Sequence, residues 1–257
     1  MGICIWCKEE SSSRSIEHII PEALGCPDGF YLKEGDVCKS CNNKLAHLDQ
    51  AVIDEFDISS FMWDVPRKKN RLPAIDNRGN LIGKYINTKN KAILINMGSR
   101  AIEMEGHRVA GYGKSKRNVK AKFEKYGLNA RISFSIEFGE GPKFVRGIMK
   151  IALSSLAYFI GTKDILLPKY DLIRDYIVNN KGQRKILLTA IENEPYRNQV
   201  WAPYVNDDGY AIELRIATVA FFVDLTPNMT IHPVIYEKAM QKFGTKGWNS
   251  LPIDNEA

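Results

Sequence analysis

The sequence has no apolar run long enough to cross a membrane, few cysteines and no recognisable nucleic-acid reading motif. Its longest apolar stretch, Gly147 to Gly161, is broken by Lys150. A spanning helix needs about 20 apolar residues, so no membrane segment is expected. Residues 2–7 are apolar, but they have neither a basic region before them nor a small-residue cleavage site after them. No signal peptide is therefore expected, and the expected location is the cytoplasm. Five cysteines in 257 residues are too few for a disulfide framework. Internal repeats and low-complexity tracts are absent, as are helix-turn-helix, zinc-finger and RRM signatures, so no device for sequence-specific reading is visible. Basic residues are scarce at one end. Residues 1–60 hold 5 Lys/Arg and 11 Asp/Glu, a net −6, which leaves +12 on the rest of a chain whose total is +6. A polyanion would be held mainly by that remainder.

What is present is concentrated in the first 43 residues. Cys4 and Cys7 form one Cys-x-x-Cys pair, and Cys38 and Cys41 form a second. Together they offer four thiolates to one tetrahedral Zn²⁺. A closed four-sulfur site leaves no position for water, so this zinc is expected to be structural. The fifth cysteine, Cys26, is read as a small buried residue or a free thiol. Between the pairs lie Glu17 and His18, and Asn42 follows the last cysteine. Phosphodiester hydrolysis needs a base to activate water and a cation to stabilise charge on phosphate. Imidazole is the natural base near neutral pH, and a carboxylate with an amide oxygen suits hard Mg²⁺ (or Mn²⁺), which keeps several waters. Adjacent strand residues point to opposite faces, so Glu17 and His18 can serve one site only at an irregular strand end. His47, five residues past Asn42, is an alternative ligand. Asn43 is read as a cap or surface residue, Asp49 as a surface residue, and His107 and His232 as ordinary histidines.

The combined pattern of Cys-x-x-Cys, Glu-His-Ile-Ile-Pro-Glu-Ala-Leu-Gly and Cys-x-x-Cys-Asn-Asn-Lys resembles the HNH endonucleases of the His-Me finger (ββα-metal) superfamily, in their four-cysteine form. The resemblance covers about residues 1–58. It implies a β-hairpin and helix clasping a divalent metal beside a structural zinc. It maps His18 onto the general base, Glu17 onto the acidic metal ligand and Asn42 onto the final metal ligand. Such modules occur in restriction, homing, phage-processing and antiphage systems. Two departures are visible: Cys26 stands after Ala-Leu-Gly where glycine is common, and the central Asn of many HNH proteins has no counterpart in Lys33 to Val37. Asp36 or a backbone carbonyl could orient the base instead.

The remaining chain reads as α+β. From Cys38, Leu45, Leu48, Val52 and Phe56 recur at helical spacing and give one apolar face. Residues 59–80 read as a basic connector. Strands are expected around 91–96 and 102–105, over 131–138 and 184–191, and within 210–224. Helices are expected over 145–159, 171–178 and 236–243, and one over the basic stretch 114–125. The expected division is a 1–58 nuclease module with zinc, a 59–80 connector and an 81–257 α+β domain. Two basic clusters are candidate nucleic-acid contacts: Arg67, Lys68, Lys69 and Arg71, and Lys114, Lys116, Arg117, Lys120 and Lys122. The leading expectation is a metal-dependent DNA endonuclease. A non-catalytic zinc knuckle that binds nucleic acid or protein is an alternative, and so is an RNA-directed nuclease. One centre cuts one strand, so duplex cleavage suggests a homodimer or sequential nicking. Residues 81–257 could recognise DNA, sense a ligand or bind a partner protein.

Overall fold

In a computed structural model, the described residues are 2–12, 16–63, 65, 75–78, 81–87, 92–96, 101–104, 107–111, 119–126, 129–136, 141–191, 198–201, 203–243 and 249–251. The chain opens with two small antiparallel ladders. Strand β1 (Gly2–Ile3) pairs with β2 (Glu10–Ser11), and β3 (Glu17–His18) pairs with β4 (Tyr31–Leu32). Helix α1 (Lys39–Glu55) follows, and then the short α2 (Asp57–Met62). The next strands are β5 (Ile75–Arg78), β6 (Leu81–Asn87), β7 (Ala92–Asn96), β8 (Ala101–Met104), β9 (His107–Gly111), β10 (Val119–Tyr126) and β11 (Asn129–Ile136). Helices α3 (Pro142–Ile160), α4 (Thr162–Ile165) and α5 (Asp171–Asn179) come next. The chain then runs through β12 (Ile186–Ala190), β13 (Gln199–Val200), β14 (Tyr204–Asn206), β15 (Gly209–Ile216) and β16 (Val219–Asp224) to α6 (His232–Phe243) and β17 (Asn249–Leu251). The class is α+β, and among the described residues no helix is long and apolar enough to cross a membrane.

The chain forms two compact units that do not follow its order: residues 1–54 with 141–257, and residues 55–140. This seam differs from the expected 1–58, 59–80 and 81–257. The reason lies in α3. Every residue from Phe144 to Ala157 is buried, so this helix is covered on all sides, with Arg146 and Lys150 paired inside. Its Phe144 meets Phe221 of β16 at 6.1 Å between ring centroids, and its Tyr158 meets Phe30 beside β4 at 5.0 Å. Gly147 faces α1: a Cβ there would fall 2.8 Å from the Leu48 carbonyl oxygen and would also strike the Val52 side chain. The first unit is therefore built on α3, with α1 and β4 on one side and an antiparallel sheet on the other. That sheet has the order β13-β15-β16-β12-β17, with β14 also on β15. Its central strand β16 is buried throughout, as its nearly all-apolar sequence requires.

In α1, Leu45, Leu48 and Val52 are fully buried, as their spacing predicts. The second unit holds α2 and a set of antiparallel strands: β5-β6-β7 form one sheet, and β8-β9 and β10-β11 form separate pairs. The helix expected over 114–125 is not formed where the chain is described. Residues Val119–Tyr126 are a strand, in register with β11 from Val119↔Ile136 to Tyr126↔Asn129. Val119, Ala121 and Phe123 alternate with Lys120, Lys122 and Glu124, and a period of two selects a strand. The density of basic residues had concealed that period.

Candidate functional site

The four paired cysteines come together. Their Sγ atoms lie within 4.8 Å of one another, and the Cys7–Cys38 separation is 3.9 Å. A tetrahedral zinc with Zn–S bonds of about 2.3 Å has sulfur–sulfur edges of about 3.8 Å, so the donor set fits that ion. Backbone amides point at the sulfurs: Cys38 N–H donates to Cys4 Sγ and Cys41 N–H to Cys38 Sγ, both at 3.3 Å. Burial pushes the Cys7 and Cys41 thiols up. At Cys38 burial acts the same way, but the Cys41 amide and the neighbouring thiols outweigh it and bring that thiol down. Four thiolates this close repel one another, and a bound dication removes the conflict. The knuckle is also tied to α5. Buried Arg174 donates from Nε to the Ile5 carbonyl at 2.6 Å and from Nη1 to Asp171. Lys8 adds an ion pair to the same Asp171 at 2.5 Å.

The β3–β4 ladder sets Glu17 opposite Leu32 and His18 opposite Tyr31. As strand alternation requires, the two side chains have different surroundings. Glu17 is buried. Its Oε1 accepts from Lys150 Nζ on α3 at 2.5 Å, and the same ammonium donates to both carboxylate oxygens of Asp49 on α1 at 2.7 Å. Burial pushes the Glu17 carboxyl up, and Lys150 offsets this only in part. Burial opposes the charge on Lys150 too, but Asp49 first and Glu17 next outweigh it, so its ammonium is held above the ordinary value. His18 is about one-third exposed. It lies edge-on to Tyr31 at 6.4 Å, with Nε2 3.4 Å from Glu22 Oε1.

Helix α1 begins at Lys39, so Asn42 sits inside its first turn rather than at its cap. The Asn42 backbone N–H donates to the Cys38 carbonyl at 2.9 Å, and the residue is half-buried. The carboxylate of Glu17 and the amide oxygen of Asn42 are hard donors that suit magnesium, although Glu17 Oε1 is already held by Lys150. His47 is exposed, with Nδ1 2.8 Å from the Lys44 carbonyl oxygen. Asp36 is occupied locally: its Oδ2 accepts from Lys33 N–H and its carbonyl from Ile5 N–H. Among the basic candidates, Lys120 and Lys122 lie on β10 in the second unit, at register positions opposite Ser135 and Ser133. Arg67, Lys68, Lys69, Arg71, Lys114, Lys116 and Arg117 lie outside the described residues.

Three charged residues escaped the sequence reading. Asp49, read as surface, is an ion-pair partner with 22% of its side chain exposed. Lys150 carried a signal, since a cation inside the longest apolar run demands a buried counter-charge. Glu22 is four residues beyond His18, and that spacing alone does not single it out.

Residues 4–57 match a family model described as HNH endonuclease. No curated protein and no solved structure is matched by the chain. The matched span runs from the first of the four clustered cysteines past the end of α1 to the first residue of α2, and it holds both Cys-x-x-Cys pairs, Glu17, His18 and Asn42. Residues 4–57 are therefore an HNH endonuclease segment of the four-cysteine type.

Proposed function

We propose that this protein is a metal-dependent HNH endonuclease that hydrolyses DNA phosphodiester bonds. The observation that carries the reading is the placement of His18. It is a solvent-reachable imidazole on β3, paired with β4, and it lies in sequence between the two Cys-x-x-Cys pairs inside the matched segment. His18 takes a proton from water, the resulting hydroxide attacks phosphorus, and one P–O ester bond breaks while the leaving oxygen regains a proton. Glu17 and Asn42 are the ligands for a catalytic Mg²⁺ or Mn²⁺, with His47 the less favoured alternative. When bound, that cation supplies charge stabilisation at the phosphate and the leaving oxygen. Zinc on Cys4, Cys7, Cys38 and Cys41 keeps the start of α1 in place. The two basic clusters hold the polyanion, so binding weakens as salt rises. One centre per chain fits a homodimer or sequential nicking for duplex cleavage. Zinc-bound thiolates fit a reducing compartment such as the cytoplasm.

The test is cleavage of supercoiled plasmid with Mg²⁺ or Mn²⁺. His18→Ala, with unchanged zinc content and thermal unfolding, is expected to lose at least about a hundredfold in rate. Equal cleavage by both proteins overturns the mechanism. Cleavage of RNA alone would move the substrate to RNA, and nucleic-acid binding without cleavage would leave a zinc-knuckle binding module.

A further inference from the structure

Lys150 lies on α3, far outside the matched segment 4–57, and only 2% of its side chain is exposed. An ammonium has three N–H donors. Here they meet three carboxylate oxygens, Glu17 Oε1 at 2.5 Å and both oxygens of Asp49 at 2.7 Å. No donor is left for solvent or substrate, so Lys150 is not a nucleic-acid contact. Its two partners lie on the two elements that carry the proposed chemistry. Glu17 precedes His18 on β3. Asp49 follows Asn42 on α1 by seven residues, nearly two full turns, so the two share a helix face about 10.5 Å apart. A single buried cation from α3 thus bridges the strand of the base and the helix of the amide.

We propose that Lys150 is a positioning residue of the nuclease centre: its ammonium fixes Glu17 against Asp49, and through them holds the His18 strand in register with the Asn42 helix. The role rests on the nuclease reading above and adds that residues 4–57 do not complete the centre alone. Outer-shell partners of metal ligands typically matter by about 10–100-fold in affinity or activity, and Lys150 stands in that relation to Glu17.

The test uses the full chain loaded with zinc. Lys150→Met is compared with wild type for manganese binding by calorimetry without nucleic acid, and for plasmid cleavage over a range of plasmid concentrations. Binding is expected to weaken at least about tenfold, and maximal rate to fall by a similar factor, while KM for plasmid changes less than about twofold. A role confined to stability would lower the unfolding temperature and leave all three values of the folded fraction unchanged, which overturns the proposal. Tighter manganese binding overturns it too, because Lys150 would then compete for Glu17. If Lys150→Met does not fold, Asp49→Asn carries the same expectations from a partly exposed position. A wild type that neither binds manganese nor cuts nucleic acid overturns the nuclease reading, and the positioning role with it. A wild type that does both, beside a variant with equal values, overturns the positioning role alone.

Discussion

Four thiols from residues 4–41 converge within 4.8 Å, whereas the ammonium between Glu17 and Asp49 arrives from residue 150. Both clusters gather negative charge inside one compact unit, and each needs a cation. The knuckle fits one taken from solution, and the second cluster carries its own on α3. An exogenous ion lets a short segment order itself without much hydrophobic core, but it ties folding to metal supply. A lysine removes that dependence and replaces it with another, since the segment is then neutralised only when a distant helix has docked. The HNH segment sets a knuckle that fits the first solution beside an ammonium that is the second, and through that ammonium it is coupled to α3.

Each half of this comparison can be broken. The largest effect is expected at the knuckle. Cys38→Ser or Cys41→Ser should abolish zinc retention and unfold the N-terminal segment, as should strong chelation of the wild type. Structural zinc sites contribute on the order of 10 kcal/mol in isolated modules, and zinc content with thermal unfolding reads the loss. Lys150→Met comes next. It strands a buried carboxylate, and urea unfolding should show a loss of about 3–5 kcal/mol. Adding Glu17→Gln to Lys150→Met should cost less than the two single losses together, because the double variant leaves fewer uncompensated charges. Equal additivity would show that the pair does not interact in solution.

Gly147→Ala tests the seam that brings Lys150 into place. A methyl group there meets the α1 backbone and Val52, and overpacking of this kind costs about 1–3 kcal/mol. Unchanged stability would mean that α1 and α3 can separate freely. The smallest effect is expected at Asp171→Asn. The Lys8 hydrogen bond first, and then the Arg174 guanidinium, hold the Asp171 carboxyl below its ordinary value. The unfolded chain therefore binds the proton more readily. The contribution is present above about pH 4 and lost as pH falls through the lower folded value. Asp171 is about half exposed, so the loss should stay below about 1 kcal/mol and shrink with salt. Unfolding midpoints at neutral and acid pH, in low and high salt, check it.

The pattern of legibility follows the range of the interactions. The apolar face of α1 was readable because Leu45, Leu48 and Val52 repeat at one helical period. An apolar run marked α3, and alternation served for β11. At 114–125 two signals competed, and the weaker one, charge density, masked an alternating strand. The Glu17–His18 step was readable as a difficulty, because a strand cannot send neighbouring side chains to one face, and the two do have separate surroundings. Their partners were not readable. Glu22 and Asp49 are common surface residue types, and nothing local distinguishes a paired one from a solvated one; the place of Lys150 in an apolar run calls for a counter-charge without naming it.

Sequence alone settles the zinc-type HNH segment and the α+β class. Cys-x-x-Cys spacing, a Glu-His dipeptide and regular apolar periods carry their chemistry within a few residues. Packing settles the rest: that the segment shares a core with residues 141–257, that Glu17 is held by an ammonium, and that the ammonium is Lys150. Any carboxylate could have neutralised a lysine buried in α3. Only the docking of α3 against α1 and β4, where Gly147 permits close approach, selects which ones do.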